Sequence, residues 1–394
     1  MPNTPPTIAQ WLKPLSARDP HEKHRVATSL ELLFDLIFVV AIATAGQQLH
    51  HAIVENHLAH GLMLYGMVFF ALWWAWMNFS WFASAYDNDD AFYRIVTFVQ
   101  IIGSLVIAAG IPSAFQQQDF DVIIIGYAIM RLGLVTQWFR VAKHDPERRK
   151  TALRYASGII LVQLGWLFFH FSPVNFTGYL FILLVIAELC VPMFAESASR
   201  TPWHAHHIAE RYSLLTIIVL GESIVGCSIA MTDALSNQRF STELIFLMIG
   251  GLVMMFTMWW AYFDSEIAER LNSRKMAFAW GYGHFFVFIS IAALGASLAA
   301  AVEVVSHEAL ISSMRESYFV ATCLVLYTTS LYVLHEAHHQ VGFKKLLYPL
   351  TVVIVLAIPQ FIEPAGYAIF AMAVAYALRL ILAKSFIAQP KNQV

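Results

Sequence analysis

Apolar residues along this chain are grouped in twelve long runs that are separated by short polar stretches. The runs cover residues 30–49, 61–84, 93–111, 121–139, 152–171, 175–195, 208–230, 243–263, 276–302, 316–335, 344–361 and 363–386. A lipid hydrocarbon core about 30 Å thick is crossed by roughly 20 residues of α-helix, because each residue advances the helix by about 1.5 Å. The pattern therefore predicts an all-α protein, a polytopic transmembrane bundle of about twelve helices.

The composition supports a membrane protein and narrows its partners. Of the 394 residues, 59% are hydrophobic and 13% are charged, whereas charged residues make up about a quarter of a typical soluble domain. The formal net charge is −2, and the sequence has no basic face or RNA-binding motif. Cys190, Cys227 and Cys323 lie singly in apolar runs, without the spacing of metal ligands. We therefore expect the lipid bilayer as a partner, no nucleic acid and no cofactor.

Basic residues are distributed unevenly among the polar segments. Every Lys and Arg lies in or beside a predicted inner segment except Arg131, Arg239 and Arg315. Cytoplasmic loops of membrane proteins carry an excess of Lys and Arg, and the segments here alternate between basic and neutral. The alternation supports twelve spans and predicts that both termini lie in the cytoplasm.

The two halves of the chain resemble each other. Glu31 opens the first predicted helix and Glu210 opens the seventh, while Trp-Trp-Ala-Trp at 73–76 matches Trp-Trp-Ala-Tyr at 259–262. Chance recurrence of such residues near membrane interfaces is the alternative. Because each half has an even number of spans, both halves would enter the membrane in the same direction, as two six-helix parallel repeats. The predicted parts are a cytoplasmic arm at 1–28, a first repeat at 29–195, a cytoplasmic linker at 196–206, a second repeat at 207–388 and a tail at 389–394.

Three stretches of the sequence are distinctive when they are taken together. They are SLELLFDLIFVVAIA at 29–43, the pattern WWAW, YDNDD and Arg at 73–94, and AERYSLLTIIVLGESIVG at 209–226. These stretches resemble the bacterial low temperature requirement protein A family, and the resemblance spans essentially the whole chain. It implies a multi-pass protein of the bacterial cytoplasmic (inner) membrane. That family is named for a cold-growth phenotype and has no settled biochemical activity, so the resemblance supplies no catalytic residues.

Acidic residues in or at the start of the apolar runs are the first candidates for function. Glu222 lies twelve residues past Glu210, about 18 Å deeper along a helix, where a charged carboxylate is costly. Asp35 lies roughly 10 Å into the first helix. Thr28 and Glu31 have the spacing of a capping box, which favours a structural role for Glu31. We predict a proton or solute site at Asp35 and Glu222, with the helix-opening Glu31 and Glu210 as further candidates.

Few groups are available as partners for these carboxylates. Arg94, after the acidic loop, and Arg131, inside the fourth run, are the cations closest to membrane depth in the first half. Arg131 could form a buried structural pair with Glu188 of the sixth run, or both could line a solute path. His284 in the ninth run could carry protons or lie at the membrane interface. All four residues are therefore candidates for the proton or solute site.

A metalloenzyme is the competing hypothesis. Residues 335–339, His-Glu-Ala-His-His, satisfy the HExxH pattern, in which two histidines one helical turn apart bind zinc beside a general base. No third ligand follows at a familiar spacing, so His335 and His339 are weak metal candidates, and an interfacial titratable cluster fits the pattern as well. The sequence therefore predicts no catalytic residue and no metal, and it argues against an enzyme.

The sequence as a whole favours an integral inner-membrane protein that transports an unknown small solute or ion. Intramembrane carboxylates would couple that transport to protons. A channel, and a membrane protein without transport activity such as a cold-growth or stress factor, are the alternatives. No nucleotide-binding GxxxxGK[ST] motif is present, which argues against direct ATP drive by this chain alone.

Overall fold

The structure is a computed structural model, and it describes residues 12–23, 25–171, 177–237, 239–265, 267, 268, 271, 273–337 and 344–385. Within these residues it contains twelve α-helices and no strand. The helices are α1 Ser29–Val54, α2 Leu58–Tyr86, α3 Ala91–Gln117, α4 Asp121–His144, α5 Arg149–Phe169, α6 Thr177–Glu196, α7 Ala205–Ser236, α8 Thr242–Phe263, α9 Arg274–Val305, α10 Ser313–Leu331, α11 Lys344–Phe361 and α12 Ala365–Ser385. Each helix overlaps one predicted apolar run, so the predicted polytopic helical bundle is confirmed.

All twelve helices are long and apolar enough to cross a membrane. Many large apolar side chains also point away from the protein, including Leu161, which is 71% exposed, and Phe168, which is 68% exposed. Exposed apolar surface of this kind is stable against lipid, and a helix satisfies its own backbone hydrogen bonds there. The chain is therefore an integral membrane protein.

The chain packs as two compact units. Unit 1 comprises residues 1–44 and 67–212, and unit 2 comprises residues 45–66 and 213–394. The boundaries between the units fall inside α1, α2 and α7. The two six-helix repeats inferred from the sequence stay a prediction.

Unit 1 is built from helices that pack against their neighbours in chain order, from α3 through α6. Two glycines allow α3 and α4 to approach closely. A Cβ atom on Gly103 would lie 2.7 Å from the carbonyl oxygen of Gly126, and one on Gly126 would lie 2.6 Å from that of Gly103. Alanine at either position would therefore push the two helices apart.

Unit 2 contains the most buried helix, α9, in which 83% of the most apolar segment is buried. Helix α8 packs against α12 through Gly250, where a Cβ atom would lie 2.7 Å from the Cα atom of Phe370. A π-helical turn, Tyr332–Glu336, continues α10. Turns of this type widen the helix and frequently mark functional positions.

Several helix starts carry the side-chain caps that free backbone N–H groups require. The capping residues are Asp90 for α3, Ser241 for α8, Ser273 for α9 and Ser312 for α10. These caps fix where each helix begins, and they therefore fix which residues face the interior.

Candidate functional site

The start of α1 is set by the predicted capping box, which the structure confirms. The backbone N–H of Thr28 donates to Glu31 Oε2 at 2.7 Å, and the backbone N–H of Glu31 donates to Thr28 Oγ1 at 3.3 Å. This cap places Glu31 in the first turn of α1. Asp35, four residues later, lies on the same face one turn further in.

Two acid–base pairs join this face of α1 to the start of α7. His207 Nε2 lies 3.1 Å from Glu31 Oε1, and Arg211 Nη2 lies 2.5 Å from Asp35 Oδ1. None of the four residues has measurable solvent exposure. Both pairs are spaced by one helical turn, so α1 and α7 run in the same direction here. We call Glu31, Asp35, His207 and Arg211 the charge ladder.

Helix α2 supplies the polar neighbours of the inner rung. Trp76 Nε1 donates to Asp35 Oδ1 at 2.7 Å, and Arg211 Nη2 donates to Ser80 Oγ at 3.2 Å. Within the described residues, Asp35 Oδ2 and the Nε and Nη1 atoms of Arg211 have no hydrogen-bond partner. This rung therefore keeps unused capacity to bind a proton or an anionic group.

The outer end of the charge ladder is closed by a buried cation and a second carboxylate. Arg25 Nη2 lies 3.9 Å from Glu31 Oε1 and 3.8 Å from Asp87 Oδ2. Asp87 is outside the spanning helices, in the loop between α2 and α3. Burial and the nearby negative charge of Glu31 raise the pKa of Asp87 to about 6, although Arg25 acts in the opposite direction.

This pKa predicts how stability depends on pH. The value in the folded protein, about 6, lies above the ordinary value of 3.8, so folding favours protonated Asp87. Its stabilising contribution is complete below about pH 4 and is lost as the pH rises through about 6. Two pKa units correspond to roughly 3 kcal/mol. Asp87→Asn does not titrate, so its stability relative to wild type should increase by up to that amount between about pH 4 and pH 7.

Melting temperatures of both proteins in detergent, measured across this pH range, check the expectation. Asp87→Asn also removes the contact with Arg25, which changes the stability difference by an amount that does not depend on the titration of Asp87. The change of the stability difference with pH is therefore the quantity that tests the pKa. A stability difference that stays constant with pH would show that folding does not raise the pKa of Asp87.

A second buried charge site lies among α2, α4, α5 and α6. Arg131 Nη2 lies 2.8 Å from Glu188 Oε2, so the ion pair considered from the sequence is present. Trp74 Nε1 donates to Oε2 at 2.8 Å, while Tyr127 Oη and Trp166 Nε1 donate to Oε1 at 2.7 and 3.2 Å. A carboxylate has about four acceptor positions, and four donors occupy them here. Glu188 is therefore saturated, whereas Asp35 is not.

Tryptophan side chains take two different positions in the fold. Trp74 and Trp76 are fully buried and donate to intramembrane carboxylates. Trp259 and Trp260 are each about half exposed, with exposures of 49% and 46%. The half-exposed pair is typical of tryptophans that anchor a helix at the membrane interface, while the buried pair belongs to the charge sites.

Two other predicted site residues lie at the edges of unit 1. Arg94 is exposed and pairs with Asp89 at 2.6 Å, so it does not serve as the partner of a buried carboxylate. Glu210 is half-buried, and its Oε2 accepts from the backbone N–H of Ala27 at 3.1 Å. Glu210 therefore fixes the chain that leads into α1.

The remaining predicted site residues lie in unit 2. Glu222 is half-buried, and among the described residues it has no hydrogen-bond or ion-pair partner. Among the described residues, no atom lies within 4 Å of a Cβ built on the preceding Gly221; a close helix approach occurs instead between Ser223 and Gly295. His284 is fully buried rather than interfacial, with Nδ1 2.8 Å from Trp280 O and Nε2 3.1 Å from Tyr262 Oη.

The HExxH residues that the structure describes are engaged in other contacts. His335 Nε2 accepts from Trp280 Nε1 at 3.3 Å, and Glu336 forms an ion pair with buried Arg379. His339 lies outside the described residues. In the part of the chain that is described, no group of three or more His, Cys, Asp or Glu is placed to hold a metal ion.

The basic half of the charge ladder was not identified from the sequence. In the sequence, Arg211 falls among the cations of the predicted inner segments, and His207 lies in the histidine-rich stretch His-Ala-His-His at 204–207. A signal did exist, because His207 and Arg211 have the same four-residue spacing as Glu31 and Asp35. Such complementary spacing is what two adjacent helices need to form pairs at successive turns.

Comparison with known proteins identifies the chain. The family model described as "Bacterial low temperature requirement A protein (LtrA)" matches residues 26–383. The chain belongs to the LtrA family. An uncharacterized protein of Rhizobium meliloti (strain 1021) is 25% identical over 243 residues, and the match covers 59% of this chain and 57% of that relative. No solved structure matches. All four charge-ladder residues lie within the part that matches the LtrA model.

Proposed function

We propose that this LtrA-family protein is a solute transporter of the bacterial inner membrane and that the charge ladder couples solute movement to protons. The observation that carries the proposal is the Asp35–Arg211 pair. Both residues are completely buried within membrane-length helices, yet each keeps polar atoms that have no hydrogen-bond partner among the described residues. Ionisable residues in such positions are rare and commonly mark proton or substrate pathways.

The energetic cost of the charge ladder argues against a purely structural role. A buried ion pair gains little over well-packed apolar side chains, because desolvation offsets the attraction between the charges. A buried pair can still be structural where internal donors saturate the carboxylate, as they do at Glu188, but Asp35 Oδ2 has no hydrogen-bond partner among the described residues. Two successive pairs are better explained by a function that needs groups whose charge can change.

The chemistry of one cycle follows from the inner rung. When a proton binds Asp35, the carboxyl loses its charge and Arg211 loses its counter-charge. The guanidinium then favours an anionic group of the solute or a different carboxylate. Release of the proton restores the Asp35–Arg211 pair and displaces that group. The Asp35–Arg211 contact can thus be formed or broken, and both the proton and the solute favour the broken state. This is sufficient to couple proton binding to solute binding.

The orientation and the internal repeat are part of the proposal. Basic segments support an inner-membrane location with both termini in the cytoplasm. The aligned Trp76 and Tyr262 support the two-repeat model, because each makes a hydrogen bond to a buried ionisable group, Asp35 in unit 1 and His284 in unit 2. The sequence boundaries at 29–195 and 207–388 belong to this model.

Reporter fusions test the orientation. Fusions after residues 56 and 238 are expected to report the outside, and fusions after residues 145 and 340 the inside, because the basic segments lie in the cytoplasm. Alkaline phosphatase and green fluorescent protein are the complementary reporters. A reversed pair within either half of the chain would contradict parallel repeats.

Proton movement in vesicles tests the transport function. The purified protein is reconstituted with a pH-sensitive dye in the lumen, and mixtures of amino acids, sugars, carboxylic acids and inorganic cations are added separately. At least one mixture is expected to change the lumenal pH in protein-containing vesicles and not in empty ones. Uptake of a labelled solute without a pH change would indicate a channel or facilitator. The absence of any response would favour a membrane protein without transport activity.

A further inference from the structure

A buried carboxyl group that the charge sites do not use lies in unit 2, between α9 and α10. Glu316 is in the first turn of α10 and has no measurable solvent exposure. Ser297 of α9, itself fully buried, donates its hydroxyl to Glu316 Oε1 at 2.5 Å. Within the described residues, Glu316 Oε2 has no hydrogen-bond partner.

Glu316 differs from the carboxylates of the two charge sites because no cation pairs with it among the described residues. Glu31, Asp35 and Glu188 each lie beside a basic side chain. No Lys, Arg or His of the described chain forms an ion pair with Glu316. The neighbouring Arg315 turns to the exposed end of the helix, where Nη1 donates to Asn56 Oδ1 at 3.0 Å.

The other groups near Glu316 cannot balance a full negative charge. Ser297 is the polar neighbour on α9, and Cys323 is a titratable neighbour on α10 itself. The N-terminus of α10 contributes a partial positive charge equivalent to about half an elementary charge, and only close to the helix end. A carboxylate that is taken out of water needs a whole counter-charge or it must become neutral. The described residues supply no such counter-charge, so a proton or cation from outside them has to neutralise Glu316.

We propose that Glu316 is a proton-binding site, in which an exchangeable proton is carried on Oε2 while Ser297 holds Oε1. A proton needs one carboxylate oxygen, whereas the hard metal cations take six or more oxygen ligands. The described groups around Glu316 offer the carboxylate and one hydroxyl that already donates. On binding, one O–H bond forms at Oε2; on release, the proton returns to water and the carboxylate is regenerated. The site does not depend on the proposed transport through the charge ladder.

Infrared titration tests this site without requiring access for a reagent. The carbonyl stretch of a protonated carboxylic acid is resolved from that of a carboxylate, so difference spectra between acidic and alkaline pH report each carboxyl that titrates. Wild-type protein in lipid is expected to show a band that Glu316→Gln removes. Glu308→Gln, which changes an exposed carboxylate in the loop before α10, should leave this band unchanged.

A second variant separates a proton site from a structural role. Ser297→Ala removes the hydroxyl donor and keeps the carboxyl, so the band should persist and shift to higher wavenumber. This variant also gives the answer if Glu316→Gln fails to fold. An identical acid–alkaline spectrum in wild type and Glu316→Gln, or an unshifted band in Ser297→Ala, would overturn the assignment. So would loss of the band on replacing choline with sodium at constant pH, because a metal cation would then occupy the site.

Discussion

Asp35→Asn is expected to destabilise the protein by about 3–5 kcal/mol, because it leaves the guanidinium of Arg211 buried without a counter-charge. The two groups are 2.5 Å apart, and neither has measurable exposure. Asparagine is close in size to aspartate, so packing is largely unchanged and the charge dominates the effect. Unfolding in a denaturing detergent, followed by tryptophan fluorescence, measures the change together with the yield of folded protein.

The chain offers a matched control in which only burial differs. Asp89 also pairs with an arginine, Arg94, at 2.6 Å, but both side chains are about half exposed. Exposed pairs contribute between about 0 and 1 kcal/mol, so Asp89→Asn should remain within that range. Equal effects of the two substitutions would mean that the Asp35–Arg211 pair is accessible to water.

Removing both partners of the inner rung should recover part of the loss. In Asp35→Asn with Arg211→Gln, neither an uncompensated cation nor an uncompensated carboxylate remains buried. The double variant is therefore expected to be more stable than either single variant, which requires a coupling larger than the loss from one substitution alone, about 3 kcal/mol or more. Additive losses would show that the two residues do not interact in the folded protein.

Glu188→Gln is the second substitution with a large expected effect, about 3–5 kcal/mol of lost stability. Arg131 loses its counter-charge, and glutamine has one acceptor oxygen where the carboxylate accepts from four donors. Buried donors such as Trp74 Nε1 and Tyr127 Oη would then face the new amide NH₂ group or remain unsatisfied. The same unfolding measurement applies.

Glu147→Gln is the control for this second site. Glu147 lies 3.4 Å from Arg148 and its side chain is 82% exposed, so its replacement should change stability by less than about 1 kcal/mol. Because Glu188 is saturated by internal donors, we assign it a structural role. A Glu188→Gln protein that is as stable as wild type would contradict that assignment.

Features that depend on neighbours in the sequence were predictable. Each helix is predictable because a membrane span needs about 20 consecutive apolar residues, and such a run is visible in the sequence alone. The capping box at Thr28 and Glu31 was found because both partners lie within one turn. Arg131 and Glu188 could be paired because few ionisable residues fall inside the first six apolar runs.

Features that depend on distant packing were not predictable in the same way. Arg211 lies 176 residues after Asp35. Its position near the end of a basic segment is typical of a loop cation, so the sequence does not indicate a buried partner for Asp35. Glu316 stands at the first residue of its apolar run, where a charge is expected at the membrane surface. Only the contact between α9 and α10 places it in the interior.

Proton movement by a folded Asp35→Asn, Arg211→Gln double variant is the most direct test of the charge ladder as the coupling site. Vesicles are matched for folded protein, and the solute mixture that changes the lumenal pH with wild type is added to each. The double variant is expected to fold, since no buried charge of the pair is left alone, and to move no protons with the solute. Asp89→Asn should behave like wild type in the same assay. Wild-type proton movement by the double variant would contradict the proposal and would leave the charge ladder with a structural role only.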